Sequence, residues 1–426
     1  MKIRILCLAL CSAIMLCATA CKSVDDTNSS SLPSSTTTST SSTTSTSSDT
    51  DINSDVQSTE TKPEDTSSES ELSSDDLMEM LYGFSSIKRV DYNCVKNLEG
   101  SDTIYSVCAI ITNNDTNIST DTSMSISCSD KNVKIDGTLI TIPASYTKNK
   151  KSVKFTVSHS GVGTKYDFTI KPTDSWNLVF EDDFDGNELN TEVWGEIWDT
   201  SLTTEQRDPF CFGYKKDMAF LDGNGNLVNR VYSTGEFSDD GRPLYKSSAI
   251  TTKDCFESTY GYYEIRMKPH LANSIKGAFW LMAGDMGDLD AVNDGSSKNG
   301  CEVDIIETMS NLNFSGCALH WDGYYNGQLK SEVYGEISTP QVFDGNYHTF
   351  AVSWTPEEFV FTIDGEVTIR SKAAGGCQVP AYMLISSHVG TWGGDITLKP
   401  GEYSDMLVDY VRIYSSPDNP TEITNP

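Results

Sequence analysis

Three acidic residues lie close together at Glu302, Asp304 and Glu307. Side chains alternate between the two faces of a β-strand, so Glu302 and Asp304 share one face and the apolar residues beside them share the other. Glu307 would fall on the wrong face of a regular strand, but one extra residue, a β-bulge near Ile305 and Ile306, would return it to the face of Glu302. The pattern therefore predicts three carboxylates on one surface and apolar side chains in a core.

Carboxylates held this close repel one another, and the pKa of at least one of them must rise. Such a pair suits glycoside hydrolysis, in which one carboxylate attacks the sugar and the other supplies a proton, about 5–5.5 Å away when configuration is retained. Asp304 would then hydrogen-bond a neighbour and help to hold the protons apart. Spacing alone leaves open a second interpretation, an acidic strand face without chemistry on an acidic protein.

The surrounding chain predicts an all-β protein. About 240 residues from Ser175 to Ser415 have the pattern of strands joined by Gly, Asn and Asp turns, enough for one large β-sandwich. Between about Ser86 and Pro172, short alternating runs predict a small immunoglobulin-like β-domain, interpreted as a spacer, with carbohydrate binding as the alternative. The predicted strands of this domain are Thr103–Thr112, Ser123–Cys128, Asn132–Ile142, Ser152–His159 and Lys165–Ile170. A short amphipathic segment, Asp76–Phe84, predicts a helix of two turns.

The N-terminus has the pattern of an export signal. A basic start and an apolar run end in Ala18-Thr19-Ala20-Cys21, too short to span a membrane. The residues before Cys21 are similar to a bacterial lipoprotein box, which implies acylation of Cys21 and a membrane anchor; ordinary cleavage and secretion is the alternative. The chain is thus divided into a signal peptide (1–21), a Ser/Thr/Asp-rich disordered linker (22–76), a small β-sandwich domain (77–173), a large catalytic domain (174–418) and a tail (419–426).

Composition excludes several classes of function. With 31 Lys and Arg against 61 Asp and Glu, the net charge is −30, which argues against a nucleic-acid partner. Four of the twelve cysteines fall in or at the end of the signal, and the others show neither C-x-x-C spacing nor even counts, so we predict neither a zinc site nor a fully paired disulfide framework.

Motifs across the large domain resemble glycoside hydrolase family 16, in the bulged, laminarinase-type form of its signature. The signature is Glu302-x-Asp304-x-x-Glu307. The other matching segments are Leu178–Gly186 with Trp194, Tyr260–Lys268 followed by Ala278-Phe279-Trp280, Tyr347–Phe350 through Trp354 to Asp364-Gly365, and Asp409–Tyr414. The resemblance implies a concanavalin A-like β-jelly roll sandwich whose cleft carries the signature strand.

The resemblance also implies roles for individual residues. Glu302 would be the nucleophile, Glu307 the acid and then the base, and Asp304 an electrostatic aid to Glu302. Residues expected to bind substrate, beside the neighbouring Tyr324 and Tyr325, are Trp280, His320, Trp321 and Trp392. No cofactor is expected for catalysis. A structural Ca²⁺ is implied at Glu181, the carbonyl of Gly225, and Asp409, an oxygen-only set that suits calcium; turn residues without metal are the alternative.

We therefore expect a retaining endo-β-glycanase that acts on polysaccharide, monomeric, exported and anchored at the cell surface. Laminarinase-like members often carry Trp-Pro shortly before the signature, where this chain has Asp294–Cys301. The substrate prediction is β-1,3- or β-1,3-1,4-glucan, with an endo-β-galactanase of the same family as one alternative and a non-catalytic glycan-binding lipoprotein as another. The signature indicates the mechanism, whereas loops choose the sugar. Transglycosylation in place of hydrolysis also stays open, because a sugar rather than water could intercept the glycosyl-enzyme.

Overall fold

The computed structural model describes residues 84, 86–112, 117–120, 123–197, 211–284, 286, 293–312, 314–325, 329–337, 340–373, 375–390 and 395–424. The predicted signal peptide, the linker and all of the predicted helix except Phe84 lie outside these residues. None of the helices in the described part of the chain has the length and apolar character that crossing a bilayer requires.

The first strands form a small two-sheet structure. One sheet has the order β1-β2-β6-β5, with β3 also beside β2, and the other has the order β4-β7-β8. Its elements are β1 (Ser86–Lys96), β2 (Thr103–Thr112), β3 (Asn117–Thr120), β4 (Met124–Ser127), β5 (Lys134–Asp136), β6 (Leu139–Ile142), the helix α1 (Ala144–Lys148), β7 (Val153–His159) and β8 (Val162–Ile170). Apolar residues such as Val107, Ile140 and Phe155 fill the space between these sheets.

The remaining strands form two large sheets, and the chain passes back and forth between these sheets. These strands are β9 (Asn177–Asp182), β10 (Glu196–Ile197), β11 (Cys211–Tyr214), β12 (Ala219–Leu221), β13 (Leu227–Phe237), β14 (Pro243–Ser247), β15 (Ala249–Thr251), β16 (Glu257–Thr259), β17 (Gly261–Lys268), β18 (Ile275–Ala283), β19 (Cys301–Met309), β20 (Phe314–Trp321), β21 (Lys330–Ile337), β22 (His348–Trp354), β23 (Phe359–Ile363), β24 (Glu366–Ser371), β25 (Ala381–Val389), β26 (Tyr403–Ser415) and β27 (Glu422–Thr424). Short 3₁₀ helices lie at Lys216–Met218, Ser310–Leu312 and Pro340–Phe343.

The two large sheets pack face to face as a β-sandwich. The sheet that carries the signature has the order β10-β15-β25-β18-β19-β20-β21, with β16 and β27 at the β25 side. The opposite sheet has the order β11-β14-β13-β26-β17-β22-β23-β24, with β12 beside β13 and β9 beside β26. Alternate residues of β17 and β18, among them Tyr263, Ile265, Phe279 and Leu281, are buried in the core between the sheets. The all-β, jelly-roll fold class predicted from the sequence is confirmed.

The opposite sheet is buried on its outer face as well, because β1 and β2 pack against it. Val95 and Ile104 contact Val360 in a small apolar cluster. Glu358, at the start of β23, accepts hydrogen bonds from Ser106 Oγ (2.9 Å) and from Arg370 Nη2 (2.6 Å). The contact explains why residues on both faces of β23 are buried. The boundary between the two predicted β-domains stays a prediction.

The described cysteines form no disulfide with one another. This holds for Cys94, Cys108, Cys128, Cys255, Cys301, Cys317 and Cys377.

Candidate active site

The signature strand β19 contains a bulge between Asp304 and Glu307. Asp304 pairs with Ala318 of β20 and Glu307 pairs with Gly316, so three steps along β19 match two along β20. The register with β18 shifts at the same place. One extra residue therefore lies where the sequence predicted it, and Glu302, Asp304 and Glu307 share the face of β19 that points away from the inter-sheet core, whereas Val303, Ile305 and Ile306 lie in that core.

We call this surface the carboxylate face. It comprises Glu302, Asp304 and Glu307 of β19 with the residues that alternation places beside them: Lys276, Ala278, Trp280 and Met282 of β18, Ala318 and His320 of β20, and Tyr382, Leu384, Ser386 and His388 of β25.

The three carboxylates are buried, with exposed fractions of 2% for Glu302, 3% for Asp304 and 8% for Glu307. Burial is the main cause that raises the pKa of Glu302, and the charge of Asp304 raises it further. Two neighbours oppose this rise, namely the charge of His320 and the hydroxyl of Tyr324, which donates a hydrogen bond to Oε2 of Glu302. Glu302 is therefore a carboxyl group whose ionisation depends on specific neighbours.

His320 stands directly opposite Glu302 across the β19–β20 ladder. Its Nε2 lies 3.4 Å from Oδ2 of Asp304, and neither atom has a well-aligned hydrogen-bond partner within the described residues. Its Nδ1 lies 2.7 Å from Oγ of Ser331. Burial lowers the pKa of His320, but the neighbouring acids outweigh burial and raise it to about 9. An imidazolium beside Asp304 and Glu302 partly neutralises the cluster.

Glu307 has a different neighbour, the ammonium group of Lys276. Nζ of Lys276 donates to Oε1 of Glu307, and both side chains are almost fully shielded from solvent. Burial lowers the pKa of Lys276, yet the carboxylates outweigh it and raise the pKa above its ordinary value, so the lysine is charged. The two glutamates thus sit in unlike environments, the arrangement by which two carboxyl groups acquire different tasks.

An aromatic and apolar cluster borders the carboxylates on the side of Glu302. Trp280 is partly exposed, stands opposite Asp304, and donates from Nε1 to Oγ of Ser386 at 3.0 Å. The cluster contains Trp280, Met282, Met286, Tyr324, Tyr325, Leu329, Tyr382 and Leu384. Rings of this kind pack against the C–H faces of sugars, so Trp280 stays the predicted sugar-stacking residue.

The prediction that Trp321 lines the cleft is wrong. Because side chains alternate along β20, Leu319 and Trp321 lie in the inter-sheet core, where Trp321 is 7% exposed. His320, which lies between them in the sequence, is on the carboxylate face. Trp392 lies outside the described residues.

Of the predicted calcium ligands, Glu181 and Asp409 lie on β9 and β26 of the opposite sheet, and Gly225 lies in the turn between β12 and β13. Glu181 faces Arg412, with 2.6 Å between Oε1 and Nε, and Asp409 pairs with Nη1 of Arg266 at 2.5 Å. Gly225 has φ +82° and borders the carboxylate of Asp185. Both predicted carboxylate ligands already accept from a guanidinium group, so these residues as arranged do not form an oxygen cage for a cation. Calcium at these positions stays a prediction.

Two contacts at the site were not found from the sequence, the ion pair of Lys276 with Glu307 and the hydrogen bond of Tyr324 to Glu302. Lys276 precedes Trp280 by four residues, so alternation along the same strand would have placed it on the same face. Tyr324 lies beyond the end of β20, and no periodic signal relates it to Glu302.

A family model, several curated proteins and several solved structures are similar to this chain. Residues 214–412 match the sequence model of Glycosyl hydrolases family 16. The endo-1,3-1,4-beta-glycanase ExsH of Rhizobium meliloti is 28% identical over 171 residues, which cover 40% of this chain and 34% of that protein. A beta-glucanase of Rhodothermus marinus is 25% identical over 264 residues, which cover 56% of this chain and 85% of that protein.

Among solved structures, the laminarinase catalytic domain from Thermotoga maritima superposes with a TM-score of 0.45 at 22% identity, covering 57% of this chain and 98% of that one. The chain spans only 34–39% of the length of the first three curated relatives. The match of the family model includes all three carboxylates of β19, and this part of the chain is similar to glycoside hydrolase family 16.

Proposed function

We propose that this protein is a retaining endo-β-glycanase whose substrate is β-1,3- or β-1,3-1,4-glucan. The observation that carries the proposal is the bulge in β19, which brings Glu302, Asp304 and Glu307 onto one buried face. The substrate class is supported by relatives that are named endo-1,3-1,4-beta-glycanase, glucan endo-1,3-beta-glucosidase and beta-glucanase.

In the proposed reaction the ionised carboxylate of Glu302 attacks the anomeric carbon while Glu307 gives its proton to the departing glycosidic oxygen. The sugar–oxygen bond breaks and a glycosyl ester forms on Glu302. Glu307, now ionised, then takes a proton from water, whose oxygen attacks the anomeric carbon and releases Glu302 as a carboxylate. Tyr324 and His320 support the ionised form of Glu302 in the first step, because one donates a hydrogen bond to it and the other carries positive charge beside it.

The test is release of reducing ends from laminarin, mixed-linkage glucan, agarose-type galactan and mucin glycans by the protein and its Glu302→Gln variant. We expect cleavage of laminarin or mixed-linkage glucan by the wild type only, with products whose anomeric configuration by NMR matches the substrate. Cleavage of the galactan or mucin glycans alone would replace the substrate class and keep the mechanism. Binding without cleavage by both proteins would reject the enzyme and favour a glycan-binding protein.

We further propose that the protein is exported and anchored at the cell surface through an acylated Cys21. The support is the sequence alone, since the apolar run ends in small residues directly before this cysteine and a Ser/Thr-rich acidic linker follows. An anchor and a linker of this kind would let the enzyme reach a polysaccharide too large to enter a cell.

A further inference from the structure

Lys276 is a buried cation that the proposed reaction does not use. It lies on β18 with 3% of its surface exposed, and lysine is almost never buried to this extent without a partner. Its ammonium group donates to Oε1 of Glu307, the residue proposed to supply and recover the proton. Because a buried ammonium loses its hydration, it is retained only where nearby anions compensate.

Among the described residues, the anionic groups that raise the pKa of Lys276 are the carboxylates of β19. On β25, His388 stands directly opposite Lys276, and burial with the nearby lysine charge lowers the pKa of His388 to about 3, so this imidazole is neutral. His388 is hydrogen-bonded to the hydroxyl of Tyr214 on β11. Within the described residues, the titratable or charged groups beside Lys276 and Glu307 are Glu302 and Asp304 of β19, His320 of β20, His388 of β25 and, through His388, Tyr214. Cys317 of β20 also lies near these charges, but its side chain is in the core between the sheets.

We propose that Lys276 is a positioning residue for proton transfer, which fixes the carboxyl group of Glu307 through Oε1. The inference rests on the proposed function for its catalytic meaning, although the contact itself does not. With Oε1 occupied by an ammonium, Oε2 is left as the oxygen that can carry the acidic proton.

The consequence is a limit on the alkaline side of the activity profile. The first step needs a proton on Glu307. At a pH high enough to remove that proton, kcat/KM falls. An opposite charge in contact moves the protonation midpoint of a carboxyl group by about 1–3 pH units. Removing the charge of Lys276 should therefore move the alkaline limb of kcat/KM to a higher pH by that amount.

The test measures this proton directly, without reference to catalysis. The full-length protein is labelled with ¹³C at the glutamate carboxyl carbons, the Glu307 resonance is assigned by its loss in Glu307→Gln, and its pH titration is followed in the wild type, Lys276→Met and Lys276→Arg. Lys246→Met is the control, because Lys246 pairs with Asp217 at 3.1 Å on β14 of the opposite sheet. If Lys276→Met does not fold, Lys276→Gln, which keeps a donor but no charge, is titrated in its place.

We expect the Glu307 midpoint to rise by about 1–3 pH units in Lys276→Met and to stay near the wild-type value in Lys276→Arg and Lys246→Met. The alkaline limb of kcat/KM should move in the same direction in Lys276→Met alone. An unchanged midpoint in Lys276→Met, or an equal shift in Lys276→Arg, would overturn the inference. A wild-type protein that cleaves no glycan would reject the proposed function, while the titration would still decide the role of Lys276.

Discussion

The hydroxyl of Tyr324 offers a way to perturb the proposed nucleophile, Glu302, while the side chain of Glu302 stays unchanged. It donates to Oε2 of Glu302 inside a buried site, and burial with the charge of Glu302 raises the pKa of Tyr324 above its ordinary value, so the hydroxyl stays a donor throughout the working range. Tyr324→Phe removes this one donor and keeps the ring in the apolar cluster beside Trp280.

The size of the effect follows from the charge of the acceptor. A hydrogen bond to a charged group is worth about 1.5–3 kcal/mol, and one pKa unit corresponds to about 1.4 kcal/mol. Without the donor, the already raised pKa of Glu302 should rise by a further 1–2 units, approximately. The nucleophile must be ionised, so the acid limb of kcat/KM moves to a higher pH by that amount. At a pH below the acid limbs of both proteins, kcat/KM of the variant is lower by about 10- to 100-fold.

The assay is kcat/KM against pH for the wild type, Tyr324→Phe and the control Tyr263→Phe. Tyr263 is also fully buried, but its hydroxyl donates to the backbone carbonyl of Ser258 in the core between the sheets. We expect Tyr263→Phe to lower the melting temperature and to leave the acid limb in place. A shift of less than about half a pH unit in Tyr324→Phe, or an equal shift in both variants, would refute the assignment of Tyr324 as the donor that keeps Glu302 ionised.

Four further changes test other parts of the molecule. Glu307→Ala should abolish cleavage of polysaccharide but keep activity on a dinitrophenyl glycoside, whose leaving group needs no proton, and azide should raise that activity; equal loss on both substrates would contradict the acid role. Trp280→Ala removes a stacking ring and should raise KM roughly three- to tenfold with a smaller change in kcat, as measured by steady-state kinetics on oligosaccharides. A change in kcat alone would mean that Trp280 does not bind sugar. Arg370→Met leaves the buried carboxylate of Glu358 without its cation and should destabilise the protein by about 3–5 kcal/mol in denaturant unfolding, whereas a loss below about 1 kcal/mol would mean that the pair is solvated. Cys21→Ser should move the protein from the membrane fraction to the soluble fraction on ultracentrifugation and immunoblotting, and an unchanged distribution would reject the lipid anchor.

Local strand patterns were predictable where the two-residue alternation is unbroken. The strand Thr103–Thr112 was predicted with the bounds that β2 has, and the runs at 152–159 and 165–170 correspond to β7 and β8. The strand β1 was missed. It pairs with β2 through two register shifts, between Ile87 and Arg89 and between Cys94 and Lys96, and each shift interrupts the alternation on which the prediction depends.

The carboxylate face was predictable in part for the same reason. The bulge could be inferred because three acids spaced as Glu302, Asp304 and Glu307 can share a face only if one residue is added. The face of Trp321 was inferred wrongly, because aromatic residues suit both a sugar-binding surface and a core, and composition does not distinguish them.

The sequence by itself determined the all-β class, the common face of the three carboxylates and the resemblance to glycoside hydrolase family 16, since each depends on spacing along a single strand or on short motifs. Only the tertiary structure decided the charge environment of each carboxylate. Lys276 reaches Glu307 across a strand pair, and Tyr324 reaches Glu302 from 22 positions further along the chain. Burial and through-space charge depend on which strands become neighbours, and these two quantities decide where the protons of the site reside.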